Sequence, residues 1–108
     1  MSLPTVEEIE ARLKRRAYKT IGDQTSYDML ARIEKKPRIE FEELEEAFRL
    51  RRGLVREKLT ALLAAKLIKE ARSKETARYV ITGLGKEVLE ERMFLDKVTQ
   101  APLDTRFK

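Results

Sequence analysis

The chain has 108 residues, of which 42% are hydrophobic and 40% charged, and its net charge at pH 7 is +5. This length predicts one compact domain. Cysteine and histidine are absent, which excludes disulfides, zinc fingers, thiol nucleophiles and imidazole bases. We therefore expect no enzyme, no metal site and no cofactor, because the remaining carboxylates have no companion base.

Composition also bears on location and source. No apolar run approaches the ~20 residues of a membrane-spanning helix, and Glu7, Glu8 and Glu10 stand where a signal peptide would be apolar. A cytoplasmic protein is expected. Asparagine is absent, whereas lysine, arginine and glutamate abound. Heat damages labile amides and favours ion-pair networks, so this bias is typical of a thermophilic prokaryote or archaeon.

The net charge is unevenly distributed. Residues 51–82 carry nine Lys or Arg against three Glu, a net charge of +6, whereas residues 39–50 carry one Arg against five Glu, a net charge of −4. A basic segment indicates either a nucleic-acid surface or an ordinary solvated face, and its position in the fold has to decide between them.

The first helix is predicted from its cap and its periodicity. Pro4, Thr5 and Glu8 resemble a capping box, in which Thr5 would accept an amide hydrogen bond while Glu8 reaches back. Apolar residues then recur at steps of three and four, which is typical of an amphipathic helix. They are Val6, Ile9, Leu13 and Ala17.

A second helix and a very short strand are predicted next. Thr25 and Ser26 are candidate caps after a glycine, and Pro37 ends the helix. Ile39 and Phe41 alternate with polar residues, so both are expected on one face of a short strand.

Two further helices follow the strand. Residues 42–48 predict an acidic helix whose Glu42 and Glu43 lie in the first turn, where the helix dipole favours negative charge. Residues 51–64 predict a helix with an apolar stripe at Val55, Leu59, Leu62 and Leu63. Four-residue spacing places Arg52, Arg56 and Thr60 together on a different face.

The last third of the chain predicts a hairpin and a helix. Segments 67–72 and 77–82 alternate polar and apolar residues around a polar loop, whose lack of an Asn-Gly or Asp-Gly pair leaves the register open. Residues 83–98 predict an amphipathic helix, and residues 99–108 a loose tail. The apolar residues of this helix are Leu84, Val88, Leu89 and Leu95.

This order of elements, over residues 27–91, resembles the winged helix-turn-helix of MarR- and ArsR-type transcriptional regulators. The motifs that carry the resemblance are Glu43-Leu44-x-x-Ala47, Val55-x-x-x-Leu59-x-x-Leu62, Leu67-Ile68 and Tyr79-x-Ile81-Thr82-x-x-Gly85. It implies a mainly helical α+β fold. Residues 25–82 would form a three-helix core with a short strand and a β-hairpin wing. An N-terminal helix and linker (1–24), a C-terminal helix (83–98) and the tail would flank it.

The resemblance also gives meaning to two turns. In such folds the second wing strand turns at once into a helix, so we expect Thr82 to cap that helix and Gly83 and Gly85 to permit the close turn. Lys66 stands where the resemblance implies a left-handed glycine at the end of the recognition helix. If Lys66 is left-handed, Lys66→Gly should stabilise the protein by ~1 kcal/mol.

The function implied by the resemblance is sequence-specific binding of double-stranded DNA by a small transcriptional regulator. Recognition helix 51–64 would enter the major groove, and wing 69–80 would meet the backbone or minor groove. Arg52 or Arg56 would offer a bidentate fork to guanine, and Arg78 is the preferred contact of the wing. The full set of candidate DNA-binding residues is Arg51, Arg52, Arg56, Lys58, Thr60, Arg72, Lys74 and Arg78.

Other residues leave alternatives open. Leu54 would contact a thymine methyl or, as we favour, pack in the core. Glu57 on the recognition helix would accept a hydrogen bond from cytosine or pair with an arginine and repel phosphate. The acidity of helix 42–48 favours a different function, a winged-helix adaptor that binds a protein of the transcription or replication machinery.

The flanking apolar stripes predict an oligomer. Because the minimal winged unit has no place for them, we expect both outer helices to form a homodimer, with recognition helices ~34 to 36 Å apart on palindromic DNA. The alternative is that both helices fold back on their own domain.

Overall fold

The computed structural model describes residues 3–100. Its helices and strands are α1 (Val6–Ile21), α2 (Gln24–Lys35), β1 (Ile39–Glu40), α3 (Phe41–Phe48), α4 (Arg52–Ala64), β2 (Ile68–Arg72), β3 (Ala77–Ile81) and α5 (Gly83–Gln100). This is the predicted order, with α3 and α4 as the helix-turn-helix and β2–β3 as the wing. The prediction that the tail begins at residue 99 is wrong, because α5 continues to Gln100. The rest of the predicted tail, residues 101–108, lies outside the described residues.

The first two helices begin at side-chain caps. Thr5 Oγ1 accepts a hydrogen bond from the Glu8 backbone N–H at 3.1 Å, as predicted. The cap predicted for α2 is wrong, because Asp23 occupies that position and both Thr25 and Ser26 lie inside the first turn. The Asp23 carboxylate is the stronger cap, since its Oδ2 accepts both the backbone N–H and the hydroxyl of Ser26, at 3.1 and 2.8 Å.

The short strand ends before Phe41, which was predicted to belong to it but is the first residue of α3. Glu40 and Glu43 form a reciprocal capping box there, which ends β1 and starts the helix. Ile39 and Phe41 are nevertheless both buried, as their spacing predicted. Ile39 in β1 and Phe41 at the start of α3 thus both point into the core.

The sheet places Tyr79 at its centre. The strand order is β1-β3-β2 and both pairings are antiparallel, with Tyr79 opposite Ile39 on one side and Glu70 on the other. Tyr79 is buried, whereas its neighbours Arg78 and Val80 are exposed on the other face. Alternation along β3 therefore separates an inner face, towards the hydrophobic core, from an outer, solvated face.

Helices α1 and α5 pack on their own domain through their inner turns. Ala17 and Ile21 of α1 and Val88 and Leu89 of α5 belong to the one hydrophobic core. For those turns the alternative is correct: they fold back on their own domain, and Val88 is buried there rather than against a second copy. The outer turns stay exposed. Their exposed apolar residues are Val6, Ile9, Met93, Phe94, Leu95 and Val98. Within the described range, no helix has both the length and the hydropathy required to cross a membrane.

Helix α4 ends in a left-handed residue, as the resemblance implied. Lys66 has φ 63°. The backbone N–H of Leu67 donates to the Leu62 carbonyl and that of Lys66 to the Leu63 carbonyl, both at 3.0 Å. This is the Schellman pattern, and the burial of Leu62 and Leu67 supplies its apolar contact.

The turn from β3 into α5 docks on that helix end. Thr82 Oγ1 donates to the Lys66 carbonyl at 2.7 Å and accepts the Gly85 backbone N–H at 3.0 Å, so it caps α5 as predicted. A Cβ on Gly85 would lie 2.2 Å from the Leu67 carbonyl oxygen. At Gly83 a Cβ would meet nothing within 4 Å. Only Gly85 is therefore required by close approach.

Candidate nucleic-acid interface

A groove of about 300 Å³ lies between α4 and the wing. Its apolar lining comes from the buried Phe41, Leu59 and Tyr79. The polar side chains around it include four cations and three carboxylates: Arg52, Arg56, Arg72, Lys74, Glu42, Glu70 and Glu75. The groove is thus an exposed, highly charged surface on a rigid apolar base.

The face of α4 that carries Arg52, Arg56 and Thr60 lines this groove. Both guanidinium groups lie over the ring of Phe41, with the Cζ atoms of Arg52 and Arg56 at 4.8 and 5.8 Å from its centroid. Arg52 also lies 3.7 Å from the Glu45 carboxylate. The predicted four-residue spacing therefore does bring these side chains together.

Glu70 organises the wing side of the groove. Its carboxylate accepts hydrogen bonds from Arg72 Nε and from the Tyr79 hydroxyl, both at 2.9 Å. The Arg72 guanidinium, helped by that hydroxyl, lowers the pKa of Glu70. Burial, together with the carboxylate, raises the pKa of Tyr79 to about 12. Glu70 is thus held as an anion and Tyr79 as a neutral donor.

Of the eight candidate residues, Arg51, Lys58 and Arg78 do not line the groove. Arg78 is on the outer face of the sheet, where its guanidinium donates to Glu40 at 2.9 Å across the β1–β3 pair. Lys58 points from α4 towards α2, and its Nζ lies 2.9 Å from the Asp23 carboxylate. This ion pair raises the pKa of Lys58 and lowers that of Asp23.

Arg51 and Lys74 are both exposed. Arg51 is the N-cap residue of α4, and Lys74 lies in the wing loop at the groove. Leu54, which was expected to pack in the core, is 37% exposed instead. Glu57 is exposed beside Lys58, in a cleft that Arg16 and Lys19 also line.

The acidity around α3 has a structural explanation. Three of these carboxylates make ion pairs: Glu40 with Arg78, Glu43 with Lys36 and Glu45 with Arg52. Glu43 holds a lowered pKa because Lys36 donates to it. Among residues 3–100, no three acidic side chains are grouped so as to hold a metal ion. Sequence reasoning missed the roles of Phe41 and Glu45, since their partners lie on another helix.

The α3–α4 pair, the β2–β3 wing and the charged groove define a winged helix-turn-helix protein. Solved structures share this fold. The homodimeric winged helix-turn-helix DNA-binding domain Mb0332 from Mycobacterium bovis, a possible ArsR-family transcriptional regulator, superposes with a TM-score of 0.70 at 16% identity, over 95% of this chain and 94% of that one.

Two further structures agree with this assignment. Reduced HlyU from Vibrio cholerae gives a TM-score of 0.69 at 15% identity, over 85% of this chain and 94% of that one. NolR from Sinorhizobium fredii gives 0.69 at 17% identity, over 94% of this chain and all of that one (100%). No family model and no curated protein matches the chain. The predicted fold is thereby confirmed.

Proposed function

We propose that the protein is a transcriptional regulator that binds double-stranded DNA. The observation that carries the proposal is that Arg52, Arg56 and Thr60 of α4 share one exposed groove with Arg72 and Lys74 of the wing. Helix α4 would enter the major groove while the wing follows the neighbouring backbone or minor groove. The similarity to the DNA-binding domain Mb0332 supports this interpretation.

Residues of α4 and of the wing have different roles in this proposal. Arg52 and Arg56 offer bidentate forks to guanine O6 and N7, each pair worth ~1 to 3 kcal/mol in discrimination. Thr60 lies one turn further along α4. Arg51 at the helix N-terminus and Lys74 at the wing contact phosphates. The protein acts by occupying a DNA site in the cytoplasm rather than by chemistry.

Three further cations remain proposed phosphate contacts, but each is expected to contribute less to affinity: Lys58, Arg72 and Arg78. Each already holds a carboxylate in the free protein, at 2.9 Å in all three cases. A phosphate has to replace that carboxylate, so the net gain in each contact is smaller than for an unpaired cation.

We further propose that two copies associate through their outer helices. On α5, Phe94 is 66% and Leu95 52% exposed, and a cleft lined by both also contains Tyr18 of α1. Covering this surface with a second copy removes apolar area from water. That Mb0332 is homodimeric supports the proposal. Sedimentation at tens of micromolar should give a dimer, and a monomer there would reject it.

The decisive experiment measures duplex affinity by fluorescence anisotropy at about 50 and about 200 mM salt. Arg52→Ala/Arg56→Ala should weaken binding at both salt concentrations, because both bidentate contacts to guanine are lost. The matched control is Arg12→Ala/Arg15→Ala, which removes the same charge from exposed positions on α1. Equal weakening in both variants, or no binding by the wild type, would overturn the proposal.

Absence of DNA binding would favour the adaptor function through residues 42–48. The structure makes that surface less available than its composition implied. Glu43 and Glu45 are engaged with Lys36 and Arg52, and the Glu42 carboxylate accepts a hydrogen bond from Thr76.

A further inference from the structure

Arg52 and Arg56 in the groove contact side chains of a different helix, α3. Arg52 retains 56% of its side-chain exposure, so it can reach a ligand in the groove. Its guanidinium nevertheless lies 4.8 Å above the centre of the Phe41 ring and 3.7 Å from the Glu45 carboxylate. Arg56 shares the same ring at 5.8 Å. The Phe41 ring thus contacts both guanidinium groups.

Phe41 is suited to be a fixed support. It is only 6% exposed, and it is the first helical residue of α3, between the two members of the capping box, Glu40 and Glu43. Ile39, two residues earlier, is paired with Tyr79 in the sheet. Burial restrains the ring, and hydrogen bonds restrain the backbone on both sides of it.

We propose that Phe41 and Glu45 are positioning residues of the DNA interface. They set the directions of the Arg52 and Arg56 guanidinium groups before DNA arrives, although neither is required to touch DNA. The proposal rests on the DNA-binding function proposed above. It also accounts for part of the acidity around α3, which sequence reasoning had assigned to a protein partner.

The physical reason is the flexibility of arginine. A free arginine side chain loses rotamer entropy when its fork is fixed against a base, and prior orientation lowers that cost. The ring attracts the guanidinium through its quadrupole, and the carboxylate restrains rotation about the stem. Glu45 also repels phosphate. An arginine held in this way therefore favours a base edge over nonspecific contact with the backbone.

The test measures selectivity. Wild-type protein first selects its preferred duplex from a random-sequence pool, and affinities for that duplex and for a scrambled duplex are then compared. Phe41→Leu should lower the ratio of the two affinities about tenfold, which is the lower part of the range for one bidentate contact. The matched control is Phe48→Leu, which removes a half-buried ring from the same helix without a stacked arginine.

The second variant isolates the carboxylate. Glu45→Gln should lower the same ratio about threefold, mainly by raising affinity for the scrambled duplex, because a phosphate no longer meets that negative charge. Glu46→Gln removes an exposed carboxylate of α3 and is expected to leave the ratio unchanged. An unchanged ratio in both Phe41→Leu and Glu45→Gln would overturn the inference.

An NMR measurement without DNA separates positioning from mere structural support. The Phe41 ring current should move the side-chain protons of Arg52 upfield of those of Arg51. Phe41→Leu should abolish the shift and Phe41→Tyr should keep it. If Phe41→Leu does not fold, retention of the shift and of the selectivity ratio in Phe41→Tyr supports the inference.

The two proposals fail in different ways. No binding of the wild type to any duplex rejects the DNA-binding function, while the Arg52 shift still decides whether Phe41 holds the guanidinium. Selective binding with no Arg52 shift, or with selectivity unaffected by both substitutions, rejects the positioning role alone.

Discussion

The two ends of α4 are built by different forces. At its C-terminal end, α4 is joined to α5 by two hydrogen bonds of the Thr82 hydroxyl, to the Lys66 carbonyl and the Gly85 N–H, and by the close approach of Gly85 to Leu67. At its N-terminal end, Arg52 and Arg56 lie over the Phe41 ring at an exposed groove, and Arg52 also pairs with the Glu45 carboxylate. Helix α4 thus stabilises the fold at one end and presents exposed charged side chains at the other. Substitutions should separate these roles.

Gly85→Ala should produce the largest change. The new methyl group would lie 2.2 Å from the Leu67 carbonyl oxygen and 2.7 Å from Ile81 Cγ1. Since a backbone atom cannot move aside at low cost, we expect a loss of roughly 3 kcal/mol in the free energy of unfolding, measured by urea denaturation. Gly83→Ala, whose methyl group meets nothing within 4 Å, is the control and should be close to neutral.

A Gly85→Ala protein as stable as wild type would show that α5 does not dock on the end of α4 in this way. DNA affinity per folded molecule should be unchanged in this variant, because Gly85 approaches Leu67 and Ile81 and not the arginines of the groove.

Thr82→Ala tests the side-chain cap of the same junction. It removes the donor to the Lys66 carbonyl and the acceptor of the Gly85 N–H. The expected loss is ~1 to 2 kcal/mol in the free energy of unfolding, since a cap and a second hydrogen bond disappear together. Thr99→Ala is the control, because the Thr99 hydroxyl donates within its own helix, to the Leu95 carbonyl one turn earlier. Equal losses in both variants would argue against a special role for Thr82.

Lys66→Gly should stabilise the protein by ~1 kcal/mol, because glycine enters the left-handed region without the strain of a Cβ. Thermal denaturation measures the change. Lys69→Gly is the control: Lys69 lies in β2, so the same substitution should destabilise there. A lower melting temperature for Lys66→Gly than for wild type would contradict the left-handed assignment.

The smallest effect is expected in the groove. The pKa of Glu70 is lowered by Arg72, so its charge stabilises the fold above the ordinary glutamate value of 4.5 and this stabilisation is lost as pH falls through the lower, folded value. Glu70→Gln should therefore be less stable than wild type at neutral pH, with the difference vanishing in acid. Denaturation from pH 7 to pH ~2 measures it. A difference independent of pH would implicate the Tyr79 hydrogen bond rather than the carboxylate charge.

Local pattern was sufficient for much of this protein. The helices and the hairpin were predicted because apolar residues recur along them with the period of a helix or a strand. Val55, Leu59 and Leu62 of α4 are an example, and all three are buried. The four-residue spacing of Arg52 and Arg56 likewise predicted a shared face. Boundaries were less certain where several residues suit one position, and Asp23 rather than Thr25 or Ser26 caps α2 for that reason.

The sequence by itself determined the order of elements, the apolar faces and the basic character of α4, because these follow from periodicity and charge along the chain. Only the tertiary structure decided which cations share the groove. Lys58 and Arg78 are basic like Arg52, yet the folded chain turns them towards Asp23 and Glu40. Such pairings join residues far apart in sequence, so no local pattern encodes them.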